Sequence, residues 1–238
     1  MPSARKFEAG ATVKSLQWQK YSYKRLIYDL VLTTILLFIY NLFGGLLVIC
    51  HDNFEVHYPA AGTPLPWSAW ELAGMAAWLW SRSGLHRSWD LRLFELDVLE
   101  SIELQQFVLM LRNGQPAGYL SWGHLSDEAE VAYIVNPHSL RREDKRSGAH
   151  LWLLNWAAPA GGTDVFAHVL RRQLFHSSVA HMLRVKPGRQ DLGRIVSGRG
   201  VRVSRQDYMS EVLRMHRSFE QAQRLRSGLA PQYIGGVP

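Results

Sequence analysis

Residues 107–122 read "FVLMLRNGQPAGYLSW". Two strand-like runs, 107–112 and 117–122, flank Asn113–Gly114. Asn and Gly both tolerate positive φ, which a tight two-residue hairpin needs, so this stretch predicts an antiparallel pair of strands. Working outward, "VAYIV" (131–135) reads as a third strand. "LWLLNW" (151–156) reads as a fourth, after the charged loop "RREDKRSG". "HMLRVK" (181–186) and "GRIVS" (193–197) read as two more. A helix is expected over 164–175, with Val165, Val169 and Leu170 packing inward, and a last helix over 207–226. Residues 68–83 also read as a helix. Ser68 and Glu71 form a capping box, Trp70, Gly74, Ala77, Trp78 and Ser81 trace one face, and Gly84 is the stop. The fold class that follows is α/β, a mixed, mainly antiparallel sheet with flanking helices.

The chain has 238 residues, 47% hydrophobic and 20% charged, with nine tryptophans, which suits a packed core rather than disorder. Its formal charge of +7 implies an acidic partner. The sequence contains no nucleic-acid-binding motif, so nucleic acid is not expected. Cys50 is the single cysteine, which excludes an intrachain disulfide. His51 and His57 lack zinc spacing, so no metal is expected.

The N-terminal part has a different character. Residues 30–50, "LVLTTILLFIYNLFGGLLVIC", are almost wholly apolar. About 20 such residues suffice to cross a bilayer, so a hydrophobic helix over about 26–50 is expected, with membrane contact. Lysines and arginines precede it and acidic residues follow it, which would leave the N-terminus cytoplasmic. A buried core helix is the alternative. The expected division is therefore an extension at 1–57, a Pro- and Gly-containing linker at 58–67 and a folded domain at 68–238.

Five segments in order carry a resemblance: "WLWSRSGLHRSWDLRLFELDVLESIELQQFVLM", "AGYLSW", "LSDEAEVAYIVNPHSL", "RSGAHLWLLNWAAPAGG" and "MLRV". Together, over roughly Trp70 to Tyr208, they resemble the toxin-activating lysine acyltransferases, which fatty-acylate RTX (repeats-in-toxin) protoxins on internal lysines. The resemblance implies a fold like that of the GNAT-type acetyltransferases and a location in the cytoplasm. It also implies acyl carrier protein as acyl donor, an RTX protoxin as acceptor, and no bound cofactor. The carrier is acidic, and Arg141, Arg142, Lys145, Arg146, Arg171 and Arg172 are candidates for docking it.

Acyl transfer to lysine needs a proton acceptor and a polarised thioester carbonyl. The resemblance places the essential histidine at His86, and a histidine base suits neutral pH. It places the second catalytic position at Asn136, where the family usually has aspartate, and a further departure at Asn155, where the family tends to read I-D-W. An amide can orient but cannot accept a proton. Ser83 would position substrate or the His86 ring, and Arg87 would bind the carrier's phosphate arm or pair with an acidic residue. Tyr119, Ser121 and Trp122 would line the acyl cleft or serve as plain core. Two functions stay open, an active acyltransferase and a catalytically impaired, membrane-tethered relative that binds toxin or carrier.

Overall fold

The Asn113–Gly114 turn closes as a two-residue loop, with Arg112 paired to Gln115 and φ of 51° and 72° at the two turn residues. It joins β3 (Phe107–Arg112) to the long β4 (Gln115–Leu125) in a computed structural model that describes residues 46–51, 53–59, 66–184 and 194–229. Seven strands follow one another across a single sheet: β1 (Leu46–His51), β2 (Phe54–Pro59), β3, β4, β5 (His150–Ala157), β6 (Val179–Arg184) and β7 (Arg194–Arg199). Every neighbouring pair is antiparallel except β5–β6, which is parallel and needs a helical crossover. That crossover is α4 (Thr163–Val169), extended by a wide turn at Leu170–Leu174. Val165, Val169 and Leu170 on it are buried.

One face of the sheet is covered by α4, through a cluster that includes Val56, Val108, Leu120, Trp122, Leu153 and Phe166. The other face carries two clusters. The first gathers α1 (Ala69–Arg82) and α2 (residues 91–103) over Phe107, Leu109, Tyr119 and Ala157. The second gathers α3 (Asp127–Val135) and α5 (Arg205–Leu229) over Leu125, Trp152 and Leu183.

Four expectations are corrected. "VAYIV" is not a strand but the second half of α3. Ser126 caps that helix by accepting from Ala129 N–H, three carboxylates occupy its first turn, and Ala129, Glu130, Tyr133 and Ile134 are buried at helical spacing. Local β-propensity loses to tertiary packing here. Residues 46–50 of the expected membrane helix belong to β1, which pairs along its whole length with β2, His51 standing opposite Phe54, with Asn53 at φ 66°. Residues 26–45 of that segment lie outside the described residues, and among the described residues no helix is long and apolar enough to cross a membrane. The first two positions of the expected linker, Tyr58 and Pro59, belong to β2, so the sheet begins upstream of residue 68. On α1 the capping box forms as expected. The traced face, however, is exposed, with Trp70 at 83%, and the buried face is Leu72, Ala73, Ala76, Leu79 and Trp80. The helix ends because Ser83 turns extended, not through a left-handed Gly84.

A buried ion network ties α5 to α3 and the sheet. Arg214 holds fully buried Glu130 through two bonds of 2.7 and 2.9 Å, and Trp152 Nε1 donates to the same carboxylate at 2.8 Å. Burial pushes the Glu130 carboxyl up, but the bonds from Arg214, Ser218 and Trp152 outweigh it and leave its pKa below the ordinary range. A depressed folded-state pKa adds stability that is present at neutral pH and is lost as pH falls through that pKa. Arg214→Ala should cost about 3–5 kcal/mol in a denaturant melt at pH 7, because it strands a buried charge. Adding Glu130→Gln should recover part of that loss.

Candidate active site

At the end of α1 the chain makes a sharp change of direction. Ser83 is extended (φ −82°, ψ 124°), and after Gly84 and Leu85 comes a short 3₁₀ turn at His86–Ser88, closed by Arg87 N–H to Ser83 carbonyl and Trp89 N–H to His86 carbonyl. This brings Ser83 Oγ to 2.7 Å from His86 Nδ1. The imidazole is 3% exposed. It packs against Trp80 and Trp89, with ring centroids 4.9 and 4.6 Å away. Burial lowers the His86 pKa to about 4, with no charged group offsetting it, so the ring is neutral at pH 7. The three tryptophans around this histidine thus divide: Trp80 and Trp89 wall the ring, while Trp78 lies on the outside under Arg82.

A second polar cluster lies on the same face of the sheet, under α1 and α2. Ser121 of β4 pairs with Asn155 of β5, and both side chains are buried with no close hydrogen-bond partner. Tyr119, two residues along β4, donates its hydroxyl to Val98 carbonyl at 3.4 Å. α2 supplies Asp97 from a widened, π-type turn at Glu95–Leu99. Lys145, buried although it is a lysine, pairs with Glu100 at 2.7 Å and also donates to Leu96 carbonyl. Nothing in the sequence reading singled out Asp97. Its only signal was an acidic residue in the apolar frame Leu96–Val98–Leu99 of an otherwise amphipathic helix.

The remaining expected site residues lie elsewhere. Asn136 is exposed at the C-terminus of α3, and its side chain accepts from His138 N–H at 3.1 Å. It lines a groove of 940 Å³ between α3 and α5 rather than bonding His86. Its link to the histidine is indirect, since the His138 ring meets Trp89 at 6.0 Å. Trp122 faces α4 across the sheet from Tyr119 and Ser121, against Phe175. Arg87 is exposed. Of the carrier-docking candidates, Lys145 is buried and paired, and Arg142 is paired with Glu103. Arg171 lines a 430 Å³ surface pocket with Arg199, Arg205 and Tyr208. Among the described residues no group of three His, Cys, Asp or Glu side chains could hold a metal ion.

Beyond Leu153 the two central parallel strands part. β5 and β6 pair only over Leu151–Leu153 against Ala180–Met182, so the last four residues of β5, including Asn155, leave that edge unpaired by β6.

The chain is similar in sequence to several known proteins. The chain is 42% identical over 115 residues to the protein-lysine myristoyltransferase RtxC of Kingella kingae, covering 48% of this chain and 68% of that one. It is 35% identical over 136 residues to the protein-lysine myristoyltransferase HlyC of Escherichia coli, covering 57% and 79%. It is also 32% identical over 133 residues to the RTX-II toxin-activating lysine-acyltransferase ApxIIC of Actinobacillus pleuropneumoniae, covering 56% and 82%. The family model for RTX toxin acyltransferases matches residues 65–197, which contain the Ser83–His86 pair, the Asp97–Asn155 cluster and the parting of β5 from β6, and the chain therefore belongs to the RTX toxin acyltransferase family.

Proposed function

We propose that this chain moves a fatty acyl group from acyl carrier protein to the ε-amine of a lysine in an RTX protoxin. The observation that carries this reading is the 2.7 Å contact between Ser83 Oγ and His86 Nδ1 inside the tryptophan walls. With Nδ1–H given to Ser83, Nε2 keeps its lone pair and is a base. When the amine adds to the thioester carbonyl, the nitrogen becomes positive and must shed a proton. His86 takes it and passes it to the departing sulfur, so the C–N bond forms, the C–S bond breaks and a thiol leaves. Exclusion of water by Trp80 and Trp89 favours aminolysis over hydrolysis. The opening between β5 and β6, the feature a GNAT-like fold would use, admits the carrier's extended arm. The pocket lined by Arg171, Arg199 and Arg205 offers a basic surface to an acidic carrier. The reaction belongs in the cytoplasm, with no bound cofactor.

The placement of Asn136 gives it a role only through His138 and Trp89. A second reading, a relative that binds toxin or carrier without turnover, is favoured by amides at both 136 and 155 and by the 3% exposure of His86. Transfer from purified acyl carrier thioester to a toxin fragment separates the two.

His86→Ala should reduce acyl transfer by about 10²–10⁴-fold, as expected on losing a positioned base. Ser83→Ala, which removes one orienting hydrogen bond, should reduce it by roughly 2–10-fold. Asn136→Asp should change it by less than about threefold, given that its side chain is spent on a surface turn. A pH series reports the burial of the ring. His86 takes a proton near pH 6.5 when unfolded and near pH 4 when folded, so between these values the unfolded chain binds more protons and stability falls as pH drops. The stability difference between wild type and His86→Gln should therefore shift by about 3 kcal/mol against wild type between pH 7 and pH 4.

A further inference from the structure

Aminolysis of a thioester by lysine takes two protons from the nitrogen, not one. The ε-ammonium, with an ordinary pKa near 10.4, must become an amine before it attacks, and the adduct must then lose a second proton. His86 accounts for the second. We propose that Asp97, set beside Asn155 and Ser121 under α2, is the carboxylate that receives the ε-ammonium of the substrate lysine and takes its first proton. This rests on the acyltransferase reading above.

Four observations carry it. The first is charge. Asp97 and Glu100 bring two carboxylates to the cluster and Lys145 one ammonium, which is committed to Glu100 at 2.7 Å. No described cation pairs directly with Asp97, so one negative charge is left for a cationic guest. The second is polarity short of partners: Ser121, 0% exposed, presents a hydroxyl with no hydrogen-bond partner, and Asn155, 3% exposed, an amide that leans on the Asp97 carboxylate. Buried polar atoms without partners are rare, and a guest that bonds them is one explanation of their retention. The third is local geometry, since Asp97 sits on a π-type turn within α2, an irregularity that is uncommon and concentrates at functional sites. The fourth is access. Asp97 is densely surrounded by protein yet keeps part of its surface open, whereas Lys145 is sealed.

The electrostatics suit the step. Burial raises the Asp97 pKa to about 7, with Glu100 adding to the rise and with Lys145 and the Asn155 amide opposing it. Tyr119 and Tyr133 face the same carboxylate and are both raised, by burial first and by Asp97 second. A carboxylate raised toward neutrality and an ammonium depressed by the same desolvation approach each other in proton affinity. The proton moves from Nζ to the Asp97 carboxylate. The freed amine adds to the carbonyl, the second proton goes through His86 to the thiolate, and Asp97 returns its proton to solvent once the amide has left.

The test compares full-length wild type, His86→Ala, Asp97→Asn and Asp97→Glu for transfer from an acyl carrier thioester to a lysine-containing toxin fragment over pH 6.5–9.5. Asp97→Asn should lower kcat/KM by roughly 10²-fold at pH 7. That deficit should shrink steadily toward pH 9.5, as the substrate lysine deprotonates unaided, and Asp97→Glu should restore part of the rate. Thermal stability of Asp97→Asn at pH 8 should equal or exceed wild type, because the variant removes a buried, ionised carboxylate. A deficit of the same size at every pH, or none at pH 7, overturns the proposal while leaving the acyltransferase reading intact. Absence of transfer by wild type removes that reading itself. Binding then still tests the ammonium site: in a His86→Ala background, Asp97→Asn should weaken binding of the lysine fragment about tenfold but leave an acetyl-lysine fragment unaffected. Equal weakening of both fragments, or of neither, overturns it.

Discussion

One unpaired residue in the central ladder organises both faces of this protein. Ser121 of β4 pairs with Asn155, but the next residue, Trp122, pairs with Leu153, so Leu154 is extra on β5. A regular strand would point residues 151, 153, 155 and 157 the same way. The bulge reverses the alternation: Leu151 and Leu153 enter the cluster beneath α4, while Ala157, and with it Asn155, turns toward α1 and α2. The polar cluster therefore exists because the sheet is broken at one step. The same strand then parts from β6, so bulge and opening fall within a few residues of each other.

The molecule treats its two buried polar groups of residues in opposite ways. Glu130 meets Arg214 and Trp152 with every oxygen engaged, and that network holds the C-terminal helix against α3. The Asp97 cluster is left short of partners and of positive charge. A satisfied network contributes rigidity, whereas an unsatisfied one costs stability and is retained where a ligand completes it. His86 falls between these cases. Its ring is buried and neutral, held at one nitrogen by Ser83 and walled by two tryptophans, which is how a local turn positions a side chain without a second charge.

Features encoded within a few residues were legible in the sequence. The Asn113–Gly114 hairpin, the Ser68–Glu71 capping box and the inward face of α4 all depend on contacts between near neighbours, and all three are present. The Ser83–His86 proximity was readable in the same sense, because three residues separate them across a helix end. Misreadings arose where local preference was ambiguous. "VAYIV" has strand composition but follows a serine cap and three acidic residues, and the space between sheet and α5 selects the helix. "LLVIC" has membrane composition but finds β2 as a partner. A short apolar run does not itself say whether lipid, helix or sheet will bury it.

Sequence alone determined the hairpin, the helix caps and the histidine with its serine, since each is a matter of backbone reach over two to four residues. It also carried the motifs by which the family is known. The tertiary structure decided which polar residues meet. Asp97, Lys145 and Asn155 are separated by 48 and 10 residues along the chain and are joined by strand register, a bulge and a widened helical turn. Trp122 and Asn136, close in sequence to site residues, were sent to another face and to the end of a helix. Burial and charge compensation are properties of the packed assembly, so no reading of single segments contains them.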